Sequence, residues 1–346
     1  MSLSQWVRRG FTALSTPLLP DDYTVLVNPL WSARELRGRI IAVNYPADDV
    51  AELVIRRGWG VPSDFHAGQH IGIGVRVNGQ FVWRSYSLTC PPGPQDGNLV
   101  ITVKAIPDGR LSTHLVAHAH PGSVVRLAAP AGDFHLPEPV PAKLLFITAG
   151  TGITPVMSML RHLAAQASFP DVIHLHSART DAEVLYAAEL HELARQQPGY
   201  DLRLRITSTE GRLRADDLPA LISDLDDREV YACGPTAMLD DIERVIPGAH
   251  SERFTLDRGS TTAAGGVVSF PGRGEIEVDG ATTILEAGEK AGIQLPYGCR
   301  MGICATCVRQ LDGGTARDLR TGNTHEAGDR VRVCVTVPAG DVVIAP

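Results

Sequence analysis

Residues 297–307 read YGCRMGICATC, and a fourth cysteine, Cys334, follows after 26 further residues. Cys299, Cys304 and Cys307 obey C-x4-C-x2-C, a spacing that suits a [2Fe–2S] cluster held by four thiolates. Two other readings of four cysteines compete with it. Three thiols within nine residues cannot easily pair under the geometry a disulfide demands. Zinc also accepts four thiolates, but zinc ribbons usually place them as two separated C-x2-C pairs. The glycines around the ligands let a short loop wrap the cluster and aim backbone N–H groups at its sulfides. The remaining cysteines, Cys90 and Cys233, stand alone.

Working outward, VVSF (267–270) and EIEV (275–278) form an expected hairpin about the turn PGRG. Thr283 opens ILEAGEKAG with Glu286 three residues on, as a capping box requires, and the helix is expected to end at Gly292. A strand over Val331–Val337 would then carry Cys334. Ahead of this unit, DRGSTTAAGG (257–266) is small and polar, a flexible linker by composition. Residues 143–256 alternate strand-like runs (KLLFITA, VIHLHSA, LRLRITS, EVYACG) with helical patterns at 153–166, 184–195 and 236–246, which predicts a parallel, doubly wound sheet. Residues 36–142 instead hold six strand-like runs separated by Gly, Pro, Asp or Asn, which predicts an antiparallel barrel, with a helix starting near Ser112. Residues 1–35 fit neither pattern, although Trp6, Val7, Phe11 and Leu14 could line a short amphipathic helix, packed on the barrel or docked on a partner or membrane surface.

The expected architecture is therefore multidomain β plus α/β: an N-terminal extension (1–35), an antiparallel β-barrel (36–142), a parallel α/β domain (143–256), a linker (257–266) and a C-terminal unit (267–346). A resemblance to the ferredoxin–NADP reductase superfamily and to plant-type ferredoxins, carried by RSYS (84–87), TAGTGITP (148–155), CGP (233–235) and YGCRMGICATC (297–307), implies that the barrel is flavin-binding, the α/β domain nucleotide-binding and the last unit a β-grasp ferredoxin-type domain. The 346 residues suffice for three such cores. A net charge of −7 without a block of five like charges argues against nucleic acid as the partner. The lack of an apolar leader or an 18-residue apolar run leads to an expected cytoplasmic location.

Several strings resemble the ferredoxin–NADP reductase superfamily. RSYS (84–87) resembles its R-x-Y-S flavin signature, in which Arg84 takes flavin phosphate, Tyr86 stacks on the ring system and Ser87 hydrogen-bonds near N5. Arg84 and Tyr86 share one strand face, and an arginine binds phosphate bidentately, so the chemistry is sound. VKAIPDGRLSTHL (103–115) resembles the second flavin segment, running from Val103 through Gly109 to Ser112 and Thr113, where a helix N-terminus suits a pyrophosphate. TAGTGITP (148–155) and CGP (233–235) resemble the nucleotide loops: Gly150, Thr151 and Gly152 at the pyrophosphate, with Cys233, Gly234 and Pro235 near the nicotinamide. Phe254 is the aromatic nearest to the place where the family sets one against the flavin; as a plain core residue it is equally well explained. The last 80 residues resemble plant-type ferredoxins, which implies cluster ligation by Cys299, Cys304, Cys307 and Cys334.

The resemblance implies that reducing equivalents arrive as a pair from a pyridine nucleotide and leave one at a time through the cluster, the cofactors carrying the chemistry. No side-chain acid or base is nominated. Ser177, Arg179 and Arg212 favour NADPH over NADH, although both arginines could be solvated surface groups; a helix N-terminus near Gly109 favours FAD over FMN. The acceptor is expected to be a di-iron acyl desaturase, which NPLW (28–31) suggests through a resemblance to actinobacterial desaturase partners, or an oxygenase, with a peripheral contact to a membrane-bound partner conceivable. A Rieske or haem oxygenase or a hybrid-cluster protein are the alternatives, and a non-enzymatic electron carrier is the alternative class.

Overall fold

The computed structural model describes residues 20–32, 34–77, 80–93, 96–106, 109–254, 264–298, 302, 305–319 and 321–345. A short helix, α1 (Pro20–Val27), precedes six strands, β1 (Arg37–Ala47), β2 (Val50–Arg57), β3 (His70–Val77), β4 (Gln80–Ser87), β5 (Asn98–Lys104) and β6 (Val124–Leu127), in the order β4-β3-β6-β1-β2-β5. All pairs are antiparallel. Just past β4, Leu88 bridges Ile101 and the Thr89 N–H donates to the Val100 carbonyl at 2.8 Å, so the two outer strands meet and the sheet closes. Alternation fills the interior: Ile40, Leu53, Ile55, Ile71, Ile73, Leu99 and Ile101 are wholly buried. Helix α2 (Arg110–His118) lies against β2, β3, β4 and β5. It begins at Arg110 with Gly109 as its cap, two residues ahead of the expected start, because Ser112 turns its hydroxyl back onto the Gly109 carbonyl instead of capping the helix.

The second sheet runs β11-β10-β7-β8-β9 and is parallel throughout, formed by β7 (Lys143–Ala149), β8 (Asp171–Ala178), β9 (Tyr200–Ile206), β10 (Glu229–Cys233) and β11 (His250–Glu252). Its central strands β7, β8 and β10 are buried on both faces, so β7 reads as a continuous apolar run. Leu144 and Phe146 pack with α3 (Ile153–Ala164) and α4 (Ala187–Gln196), while Leu145 and Ile147 pack on the opposite side with α5 (Thr236–Val245). Hydrogen bonds fix this unit to the barrel: Ser158 Oγ to the Cys90 carbonyl at 2.7 Å, Arg161 Nη1 to the Thr89 carbonyl at 2.7 Å, and the Tyr186 hydroxyl to Thr102 Oγ1.

The third sheet runs β13-β12-β17-β14-β15, from β12 (Gly266–Phe270), β13 (Gly274–Val278), β14 (Val308–Asp318), β15 (Thr324–Glu326) and β17 (Thr336–Ile344); β16 (Arg330–Arg332) pairs with β14. β12 lies parallel to β17, and α6 (Ile284–Lys290) packs over the sheet, which is the mixed β-grasp arrangement. The capping box is present in both directions, with Glu286 N–H donating to Thr283 Oγ1 at 3.3 Å and the Thr283 N–H to Glu286 Oε2 at 3.1 Å. One expectation is corrected here. Val331–Val337 is not a single strand, because Val333–Val335 form a turn in which the Val335 N–H donates to the Arg332 carbonyl at 2.9 Å. The turn buries Val333 and Val335 as fully as a strand would, so the apolar alternation alone could not reveal it.

Trp83 lies so close over β3 that a Cβ at Gly74 would meet its ring at 2.4 Å. Gly74→Ala should therefore push Trp83 and the neighbouring Arg84 aside and cost the barrel about 1–3 kcal/mol. Thermal unfolding of the purified variant checks this; an unchanged midpoint would show that Trp83 can move freely.

Candidate functional site

A cleft of about 880 Å³ opens at the carboxyl ends of β7, β8 and β10 and reaches across to Lys104 of the barrel. Carboxyl strand ends are where open α/β sheets bind their ligands. Gly150, Thr151, Gly152, Gly234 and Pro235 line its floor. Gly150 adopts φ 55°, and a Cβ on Gly152 would sit 2.0 Å from the Cys233 carbonyl oxygen, so neither position accepts a side chain easily. Behind these loops α3 and α5 begin, and neither has a side-chain cap hydrogen bond. The starts of both helices, with the positive ends of their dipoles, thus meet one cavity, a setting that suits a diphosphate.

Ser177, Arg179, Arg212 and Phe254 also line the cleft, so the nucleotide-side residues singled out in the sequence converge on it, with one exception. Cys233 is wholly buried beneath the Gly150–Gly152 loop, and burial together with the Glu252 carboxylate pushes its thiol well above the ordinary range. Its side chain is a neutral thiol under the cleft floor. Cleft residues that the sequence reading missed are Lys104, which lies inside the quoted VKAIPD string, and Glu183, whose position two residues beyond Asp181 carried no signal.

The flavin-side residues occupy the barrel edge that faces the α/β domain. Arg84 and Tyr86 share one face of β4, and Ser87 pairs in register with His70. Buried polar atoms normally have hydrogen-bond partners. The Tyr86 hydroxyl, Ser87 Oγ, both ring nitrogens of His70 and Glu252 Oε2 are nonetheless buried without one. His70 Nδ1 stands 3.5 Å from Glu252 Oε1, too far for a hydrogen bond. Glu252 in turn is the cross-strand partner of Cys233. Burial pushes the Tyr86 phenol far up, so it stays a neutral donor. Unsatisfied atoms of His70, Ser87 and Glu252 where the barrel meets the α/β domain, with the Tyr86 hydroxyl on the other face of β4, fit a polar ligand held by this strand. His70 and Glu252 gave no sequence signal of their own; only the meeting of two domains brings them together.

At α2, a Cβ on Gly109 would lie 2.3 Å from Ser112 Oγ. Ser112 and Thr113 direct their hydroxyls to the Gly109 and Ile106 carbonyls, both at 3.4 Å, so no side chain caps the helix start. Val103 differs from expectation: its side chain is wholly buried in the barrel core, and the adjacent Lys104 is the residue that reaches the cleft.

In the third unit, Cys307 and Cys334 are buried, their sulfurs are 3.1 Å apart and neither is in a disulfide. The turn at Val333–Val335 is what aims Cys334 at Cys307. Gly302 and Ala305 hold left-handed backbone, with φ 71° and 55°. Two converging buried thiols that are not in a disulfide fit a thiolate-bound cluster. Cys299 and Cys304 lie outside the described residues, as does most of the expected linker. The histidines read as structural behave so: Thr148 Oγ1 joins His174 Nε2 at 2.8 Å and His176 Nδ1 at 2.7 Å, and burial holds His176 down to about 4, so it is neutral.

Residues 62–136 match the oxidoreductase FAD-binding domain family, residues 146–244 the oxidoreductase NAD-binding domain family and residues 271–339 the 2Fe-2S iron-sulfur cluster binding domain family. An NADPH oxidoreductase of Mycobacterium tuberculosis is 50% identical over 98% of this chain and 91% of its own length. The glycine betaine monooxygenase reductase subunit of Pseudomonas aeruginosa is 29% identical over 81% of this chain and 87% of its own. Phthalate dioxygenase reductase superposes with a TM-score of 0.65 over 90% of this chain and 98% of its own at 23% identity, which speaks to the fold. With its barrel, α/β unit and β-grasp unit each matched, the chain belongs to the ferredoxin–NADP reductase superfamily of FAD- and pyridine-nucleotide-dependent oxidoreductases that carry a C-terminal 2Fe–2S domain.

Proposed function

We propose that this chain takes electrons in pairs from NADPH and hands them singly to an oxygen-activating protein, a di-iron acyl desaturase or an oxygenase. The observation that carries the reading is the glycine-floored cleft at the carboxyl strand ends, with unsatisfied buried polar atoms of the barrel (His70, Tyr86, Ser87) and of Glu252 across the domain boundary beside it in the fold. Bound FAD would supply the conversion from two-electron to one-electron transfer, and a [2Fe–2S] cluster the single-electron exit. The protein's part is positional. Arg84 and the α2 N-terminus would hold the flavin phosphates, Tyr86 and Ser87 the ring system, and Cys299, Cys304, Cys307 and Cys334 the cluster, across a division near residues 36–142, 143–256 and 267–346. Interlocking hydrogen bonds from Ser158, Arg161 and Tyr186 keep the two halves of the cleft in register, so a nicotinamide laid on one half meets a flavin laid on the other.

NADPH is favoured over NADH by the two cleft arginines and by the printed name of the Mycobacterium relative. Arg179 does not stand alone, because its Nε and Nη2 meet Glu183 Oε1 at 2.9 and 2.8 Å. A 2′-phosphate must win this guanidinium from the carboxylate. An oxygenase acceptor is supported by the glycine betaine monooxygenase reductase likeness, and the desaturase by the NPLW resemblance. In the structure that string is a turn, with the Leu30 N–H donating to Asn28 Oδ1 at 3.1 Å.

Two results are expected. Arg179→Ala should raise KM for NADPH roughly ten- to a hundredfold, the loss of a charge-assisted phosphate contact, while KM for NADH moves little; Glu183→Gln should lower KM for NADPH, since Arg179 is released. Equal changes for the two nucleotides in steady-state assays would count against NADPH recognition here. Cys304→Ala should keep NADPH-driven ferricyanide reduction and lose most cytochrome c reduction; retention of both would mean that electrons bypass the cluster.

A further inference from the structure

We infer that the barrel end beside α1 is a docking surface for an anionic phospholipid bilayer. This goes beyond the electron path and does not depend on it. Large apolar side chains are exposed on α1 and on the segments it joins: Leu26 (77%), Val27 (76%), Trp59 (64%), Tyr23 (45%) and Trp31 (40%); Tyr45, near the other end of β1, is exposed apart from them. Trp31 and Trp59 stack at a centroid distance of 6.0 Å, and the Trp59 N–H donates to the Leu30 carbonyl, which joins the α1 segment to the end of β2. None of the described side chains of α1 is buried. Leaving such a cluster in water is costly, and exposed apolar patches of this kind mark interaction surfaces.

The charge around the patch indicates what covers it. Gly58 and Trp59 adjoin the first residues of β1, where Arg37 stands in register with Arg126 and Arg39 with Arg56. Like charges directly opposite one another on a sheet are destabilising. Glu35 offsets Arg37 and Arg126, whereas Arg39 Nε is buried without a partner and Arg56 is exposed. Arg34, also exposed, lies between the tryptophans' segment and this row. In the sequence, residues 1–19 add Arg8, Arg9 and several apolar residues but no Asp or Glu, although the chain as a whole carries −7; Asp21 and Asp22 follow at the start of α1. Tryptophan and tyrosine favour the headgroup level of a bilayer, aliphatic side chains the acyl boundary below it, and arginines the anionic headgroups above. An acidic protein face would satisfy the arginines and leave Leu26 and Val27 in water; a bilayer accommodates both.

The test uses the full-length holoprotein with vesicles of phosphatidylcholine alone and of phosphatidylcholine mixed with phosphatidylglycerol, followed by co-sedimentation and tryptophan emission. Binding is expected to the mixed vesicles, with a blue shift, and to weaken as salt rises. Leu26→Ala/Trp59→Ala should reduce partitioning roughly tenfold, and Arg56→Gln roughly fivefold, the latter only on the mixed vesicles. Ferricyanide reduction by NADPH should be the same in every variant, which shows that each is folded. The inference is overturned by equal binding to both vesicle types, by binding indifferent to these substitutions, by no binding at all, or by a Trp59-dependent dimer in their place.

Discussion

Gly152 has no room for a side chain, because the Cys233 carbonyl occupies the space where a Cβ would stand. That close approach of two loops, one after β7 and one after β10, draws the starts of α3 and α5 to the same cavity. No side chain caps either helix, and the positive ends of both helix dipoles face the cleft, which suits it to an anion. The cleft is therefore built into the sheet topology, and surface charge is left to select among nucleotides.

A cleft on one domain is useful only if the other domain's ligand meets it at a constant distance. Arg161 serves this end twice: its Nη1 donates to the Thr89 carbonyl of the barrel, while Nε and Nη2 grip Glu189 within its own domain. Ser158, one turn earlier on α3, holds the Cys90 carbonyl. The helix that opens at the nucleotide loop thus ends its second turn on the barrel. Residues that would touch two different cofactors are in this way linked through one rigid element.

The architecture was legible because each unit announces a different period. Barrel strand β2 alternates, the parallel strand β7 runs almost continuously apolar, and the Thr283–Glu286 spacing forecasts the cap of α6. The cleft was legible through its glycines, whose requirement is steric and local. What could not be read is whatever depends on two distant segments meeting. His70 and Glu252 become a pair only when β3 faces β11; Glu183 was missed for a local reason, since it meets Arg179 four residues away only through the short turn at Asp181–Glu183. The break at Val333–Val335 was hidden for another reason: a buried turn and a buried strand leave the same apolar pattern. Val103 shows the converse, since a position within a recognised segment can serve the core while its neighbour Lys104 faces the ligand.

The central claim is that paired electrons from a pyridine nucleotide leave this chain one at a time through iron and sulfide held by cysteine. Metal and acid-labile sulfide analysis of the purified chain, combined with electron paramagnetic resonance before and after anaerobic addition of NADPH, addresses it most directly. The account predicts two irons and two sulfides per chain and a cluster signal that NADPH brings up. Zinc in place of iron, or an iron centre that the nucleotide cannot reduce, would contradict it.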